Sequence, residues 1–189
     1  MNVATSNKIL DSAFGASVFA PAAPEDFYEA VLDVRGFPAW APGVRRVEVL
    51  SGEGGTGMLS EWEVSFLGLR KKVLSVLEET EAPYRLRWTY EGPLEGWGEC
   101  SIAAVGGGAV AAFGTVLVPT DPFLAALARG ATARSAAGSH LRRSLSRLGR
   151  LVAGDDARVI VGPAPAGRRA DRRGPSAKNA VGVGPRISR

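Results

Sequence analysis

Tyr84-Arg85-Leu86-Arg87-Trp88-Thr89-Tyr90-Glu91 changes character at every residue. Successive side chains of a strand point to opposite sides, so Tyr84, Leu86, Trp88 and Tyr90 share one face. Arg85, Arg87, Thr89 and Glu91 share the other. The stretch is expected to be a strand with one aromatic and one polar face. Ala82-Pro83 breaks the chain before it and Gly92-Pro93 after it.

The same period recurs on both sides. Residues 46–50 read as a strand ended by Gly52-Glu53-Gly54-Gly55. In residues 58–66, Trp62, Val64 and Phe66 alternate with Glu61, Glu63 and Ser65. Residues 71–79 follow a turn at Gly68. Residues 97–105, the Gly106-Gly107-Gly108 turn and residues 109–118 make a last hairpin. Six strands joined by short turns form an antiparallel meander. Its apolar face must be covered by something.

The cover is expected after Asp121-Pro122, a helix cap followed by a favoured first helical residue. Leu124, Leu127, Ala131, Gly138, Leu141, Leu145, Leu148 and Val152 follow at helical spacings. They predict one amphipathic helix of roughly 30 residues, about 45 Å long. Its middle is small: Ala131, Ala133, Ser135, Ala136, Ala137 and Gly138. Gly130 and Gly138 each cost about 1 kcal/mol against Ala and mark a kink or a close approach. Ahead of the meander, residues 14–20 are β-prone and stop at Pro21. Pro24-Glu25-Asp26 then opens a helix bearing Phe27 and Val31. A short helical piece over residues 34–40 puts Phe37 and Trp40 on one face and is closed by Pro42-Gly43.

Three regions are expected: a loose leader over 1–13, a folded domain over 14–154, and a basic tail over 155–189. The tail is rich in Gly, Pro, Ala and Arg, so it is expected to be disordered, Val159-Ile160-Val161 being too short to change that. Charge follows the same division. Residues 1–121 hold 9 Lys/Arg against 16 Asp/Glu, a net −7; residues 122–189 hold 14 against 3, a net +11. The single cysteine, Cys100, excludes an intramolecular disulfide scaffold. The single histidine, His140, excludes a metal site built on several His or Cys ligands. No cofactor is expected. No stretch approaches the roughly 18 apolar residues of a membrane span. Residues 1–10 have no apolar signal core, so the cytoplasm is the default location.

The element order, together with two local strings, resembles the START-like superfamily called SRPBCC. That superfamily includes birch-pollen-type allergens, polyketide cyclase/dehydrase-like proteins and coenzyme Q-binding proteins. The strings are Val18-Phe19-Ala20-Pro21-Ala22-Ala23-Pro24-Glu25-Asp26-Phe27-Tyr28 and the run from Val34 to Val49, with Phe37-Pro38-Ala39-Trp40 and Pro42-Gly43-Val44 inside it. The resemblance covers roughly residues 14–152. It implies an α+β helix-grip fold, a curved antiparallel sheet wrapped around the long C-terminal helix. A cavity between them would take lipids, polyketides or other hydrophobic ligands. Cys100 stands where relatives usually have Trp, and Ala109 where Thr is common, so the pocket floor departs from the family pattern.

The aromatic face lines either a ligand cavity or a filled core, and alternation alone does not separate the two. Small residues on the helix opposite large rings leave room and point to a cavity. Its expected ligand-binding lining is Trp62, Val64, Phe66, Leu86, Trp88, Tyr90, Ile102, Phe113, Leu127, Ala131, Gly138 and Leu141. No catalytic or metal residue is assigned. Glu61, Glu63 and Glu99 read as surface carboxylates, His140 as a surface or helix-edge residue, and Cys100 as a buried inert thiol. Arg129, Arg134, Arg142, Arg143, Arg147 and Arg150 ride on the helix without an acid among them. Near its end they suit the helix dipole; the alternative is weak contact of helix and tail with an anionic membrane surface. Nucleic acid ranks third, since no aromatics interleave with the arginines. The leading reading is a binding or transport protein for a hydrophobic small molecule. Its rivals are a polyketide cyclase/dehydrase-like enzyme using the same cavity and a module that uses the helix and basic tail to reach an acidic protein or ribosomal RNA.

Overall fold

A computed structural model describes residues 13–66, 68–128, 131–155 and 157–163. Strand β1 (Ala13–Ala20) leads through helix α1 (Pro24–Leu32), a 3-10 turn (Val34–Gly36) and helix α2 (Phe37–Trp40) into the meander. The meander is β2 (Val44–Ser51), β3 (Leu59–Phe66), β4 (Leu69–Glu81), β5 (Arg85–Glu91), β6 (Leu94–Val105) and β7 (Gly108–Pro119). Helices α3 (Pro122–Ala128) and α4 (Ala131–Ala153) and strand β8 (Ile160–Pro163) follow among the described residues. The eight strands form one sheet in the order β2-β3-β4-β5-β6-β7-β1-β8, and every pairing is antiparallel. This is the α+β helix-grip architecture, with α4 against the apolar face of the sheet.

Local chemistry accounts for the helix starts. Pro24 sits in the first turn of α1, and the Asp26 carboxylate accepts the Ala23 N–H at 2.8 Å. The buried face of α1, Phe27, Tyr28 and Val31, lies over β5, β6 and β7. Asp121 caps α3, its Oδ1 accepting the N–H groups of Phe123 at 2.8 Å and Leu124 at 3.2 Å. Leu145 and Leu148 of α4 are fully buried, and Gly149 brings that helix close to β1. A β-carbon at Gly149 would meet Val159 Cγ1 at 2.6 Å and Val18 Cγ2 at 3.0 Å.

The expected long helix is described as α3 and α4, the residues that would join them, 129 and 130, lying outside the described residues. Two expectations are corrected. Tyr84 does not join the aromatic face: it precedes β5 and is exposed. The pattern also does not stop at Gly154. That glycine takes φ +92°, and β8 then pairs with Ala16–Phe19 of β1, with Ser17 Oγ donating to the Pro163 carbonyl at 2.9 Å. A short apolar run suffices here because Val159 fills the space over Gly149, and pairing satisfies what would otherwise be an open edge of β1. The leader, residues 1–12, and residues 164–189 of the tail lie outside the described residues.

Truncation after Ala153 is therefore expected to lower the thermal midpoint by about 4 °C, equivalent to about 1–2 kcal/mol for a chain of this size. Truncation after Pro163 should leave the midpoint within about a degree or two. Equal midpoints for the two truncated chains would show that β8 contributes nothing. Among the described residues no helix is long and apolar enough to cross a membrane.

Candidate functional site

Register divides the apolar face of the sheet into rows. Leu86, Cys100 and Phe113 form one row; Trp88, Gly98 and Thr115 form the next; Tyr90, Gly96 and Leu117 form a third. Helix α1 covers the end of the face that holds Leu86 and Cys100, with Ile102 and Ala111 beyond, and all four are buried. Rows two and three lie past its reach. There the sheet, α2, α3 and α4 enclose a cavity of about 390 Å³.

Its walls are predominantly apolar. Trp62, Val64 and Val73 come from β3 and β4, and Trp88, Tyr90 and Phe113 from β5 and β7. Phe37 and Trp40 close one end, packed at 4.2 Å between ring centroids; Phe37 also meets Trp62 edge-on at 4.6 Å. Leu124 and Ala128 of α3 and Ala137, Leu141 and Leu145 of α4 supply the opposite wall.

Gly98 sets the position of Trp88. A β-carbon at Gly98 would overlap the Trp88 indole, so the ring lies against bare backbone on the neighbouring strand. The Trp88 Nε1–H donates to the Tyr90 hydroxyl, which also bonds the Thr115 side chain. Thr115 Oγ1 donates to the Trp97 carbonyl at 3.0 Å. An indole N–H only donates and the Thr115 proton is committed to Trp97, so the Tyr90 proton goes to Thr115. Burial pushes the Tyr90 pKa up, and the phenol stays neutral. These polar atoms are satisfied within the wall and leave it hydrophobic.

Polarity gathers at one end. Lys71 pairs with Val64 across β3 and β4, lines the cavity, and donates to Asp121 Oδ2 at 3.0 Å. The Lys71 ammonium beside it, and the N–H groups of Leu124 and Phe123, hold the Asp121 carboxylate below its ordinary pKa. A depressed carboxylate pKa means the tie persists in mild acid and is lost only as pH falls through the lowered value. His140 reaches the same end: a β-carbon on Gly43 would sit 3.5 Å from its Nδ1 and 3.5 Å from the Ser65 carbonyl.

Of the residues expected to line a cavity, Trp62, Val64, Trp88, Tyr90, Phe113 and Leu141 do so. Leu86 and Ile102 do not, because α1 buries that end of the face in the core; Leu86 borders only a crevice of about 20 Å³ beside Val31. Gly138 does not line it either. A β-carbon there would find only the Arg142 guanidinium, at 3.7 Å, and Ala137 takes the inward place. The side chains of Phe66, Leu127 and Ala131 lie outside the described residues. His140 is in the cavity wall, not at a surface edge. The spacing Ala137, His140, Leu141, Ser144, Leu145 would have located it, since these positions share one helix face. Cys100 is fully buried, and burial raises its pKa far above the reactive range. Glu61, Glu63 and Glu99 face away from the cavity and pair with Lys72 at 2.7 Å, Arg70 at 4.0 Å and Arg85 at 2.7 Å.

Solved structures share this architecture. A Thermus thermophilus protein, TTHA0849, aligns with a TM-score of 0.65 at 22% identity, over 76% of this chain and 99% of that one. A START superfamily protein from Mycobacterium smegmatis aligns at 0.62 and 14%, over 74% and 96%. The Zhui aromatase/cyclase of Streptomyces sp. R1128 aligns at 0.61 and 16%, over 76% and 97%. At these identities the likeness shows the fold. No curated protein matches the chain. The family described as polyketide cyclase / dehydrase and lipid transport matches residues 13–153, from the first strand to the last residue of α4. The chain belongs to that family.

Proposed function

We propose that the protein binds and carries a hydrophobic small molecule, such as a lipid, a polyketide or a quinone-like compound, in the cavity between the sheet and α4. The observation that carries this reading is a predominantly apolar, aromatic-walled cavity of about 390 Å³ in which Trp88, Tyr90 and Thr115 keep their polar atoms bonded within the wall. Such a wall offers burial to an apolar ligand and little competition from water. A ligand of about 20 heavy atoms at roughly 0.3 kcal/mol per atom gives about −6 kcal/mol, a dissociation constant of tens of micromolar. That affinity suits release as well as capture. Contact of the Arg-rich helix with an anionic membrane surface belongs to the same proposal; nucleic acid does not.

Titration with fatty acids, flavonoids, quinones and aromatic polyketides, followed by tryptophan fluorescence, tests it. Binding should change the signal in the wild type, with a smaller change in Trp88→Phe. Ala137→Leu should weaken binding by filling space opposite the rings. If no compound changes the signal below about 1 mM, the carrier reading is dropped.

A second reading, a cyclase/dehydrase-like enzyme, is favoured by one feature of the wall: His140 and Lys71 both line the predominantly apolar cavity. A histidine in the wall is a side chain that can serve as a general acid or base toward a bound carbonyl compound. His140→Ala separates the readings. A carrier keeps its ligand affinity and has no turnover to lose, whereas an enzyme keeps binding and loses conversion of the bound compound.

A further inference from the structure

We infer that α3 docks the protein on an anionic lipid bilayer, with Phe123 inserted beside the mouth of the cavity. The helix, Pro122-Phe123-Leu124-Ala125-Ala126-Leu127-Ala128, contains no polar side chain. A surface helix normally carries a polar outer face, and this one has none to present. Leu124 is buried and, with Ala128, lines the cavity. Phe123 and Ala126 are three residues apart, share a face, and are exposed. At 63%, Phe123 is the most exposed large hydrophobic residue among the described residues. One helix thus joins an apolar cavity to an apolar outer surface.

Charge selects the occupant. Residues 122–153 hold six arginines and no Asp or Glu, whereas residues 1–121 carry a net −7. Arg142, Arg143, Arg147 and Arg150 are exposed on α4, opposite its buried Leu145 and Leu148. The segment that carries α3 and α4 thus has only positive charges and the preceding chain a negative excess, so an anionic surface attracts this segment rather than the rest of the chain. A bilayer accepts a lone aromatic wedge flanked by methyl groups without needing a shaped pocket, which a folded acidic protein would have to supply. The carrier reading gives docking its purpose, since a water-insoluble ligand would pass between bilayer and cavity along Leu124 and Ala128. Docking itself is measured without any ligand.

The test is flotation of the full chain with vesicles of phosphatidylcholine alone and of phosphatidylcholine with about one third phosphatidylglycerol, at low and high salt. The wild type is expected to float with the anionic vesicles and to be released by salt. Phe123→Ala should weaken partitioning about tenfold, and Phe123→Asp should abolish it. Ala126→Asp, on the same face, should do the same. Phe123 is largely exposed, so these variants should keep the wild-type thermal midpoint, and an unchanged midpoint makes their loss of flotation a surface effect. Two results overturn the inference. One is a wild type that floats with neither vesicle, which leaves the apolar face to a protein partner. The other is Phe123→Asp and Ala126→Asp floating as well as wild type, which assigns any binding to the arginines or the tail. Tryptophan titration of the same Phe123→Asp protein reads the cavity separately. Retained ligand binding with lost flotation supports docking, and retained flotation in a chain that binds no ligand removes the carrier reading alone.

Discussion

Trp40→Ala is expected to lower the free energy of unfolding by about 3–5 kcal/mol, the range for removing a buried large aromatic ring. The side chain is only 4% exposed. Its ring lies 4.2 Å from that of Phe37 and 6.3 Å from that of Phe113, and Phe37 carries the contact on to Trp62. Trp40 thus joins α2 to β7 directly and, through Phe37, to β3. Its Nε1–H has no acceptor among the described residues, so truncation gives up no hydrogen bond and the whole cost is packing. The space left behind opens onto the existing cavity, where little can collapse to fill it, which favours the upper part of the range. Urea unfolding measures the effect, with Trp40→Phe as the milder control. A cost for Trp40→Ala below about 1 kcal/mol would remove the residue from the core.

Gly98→Ala adds one methyl group and is expected to do two things at once. The new carbon would overlap Nε1, Cε2 and Cζ2 of Trp88, so the indole must swing away from β6 into the cavity. Overpacking of this kind costs about 1–3 kcal/mol, and the break in the Trp88–Tyr90 hydrogen bond adds to it. The displaced ring also occupies ligand space, so affinity for any compound that binds the wild type should fall at least about tenfold, as expected when a filled volume replaces an open one. Adding Trp88→Leu should recover much of the stability lost in Gly98→Ala, because the smaller side chain removes the collision. That non-additivity is the sign of direct contact. Additive losses in the double variant would show that Gly98 acts on something other than Trp88.

The alternation in residues 84–91 and its neighbours announced the meander, because a half-buried strand must repeat every two residues whatever surrounds it. Pro24 with its two acids, and Asp121-Pro122, marked the starts of α1 and α3, because unsatisfied N–H groups at a helix start call for those side chains. The aromatic character of the cavity was legible in Trp62, Trp88, Tyr90 and Phe113. Periodicity assigns a residue to a face, however, and not to a place along it. Leu86 and Trp88 are equivalent in the pattern, yet α1 packs over the first and leaves the second beside open space. Ile102 was lost to the cavity for the same reason. Gly138 and Ala137 are adjacent and both small, and only the rotation of α4 against the sheet turned Ala137 inward together with His140. β8 was illegible for a different reason: four residues have too little apolar surface to form a strand alone, and their stability comes from the exposed edge of β1 and the bare Gly149. Local chemistry therefore determined which elements form and which faces are apolar. How the helices lie across that face decided where the cavity opens, because burial depends on neighbours distant in the chain.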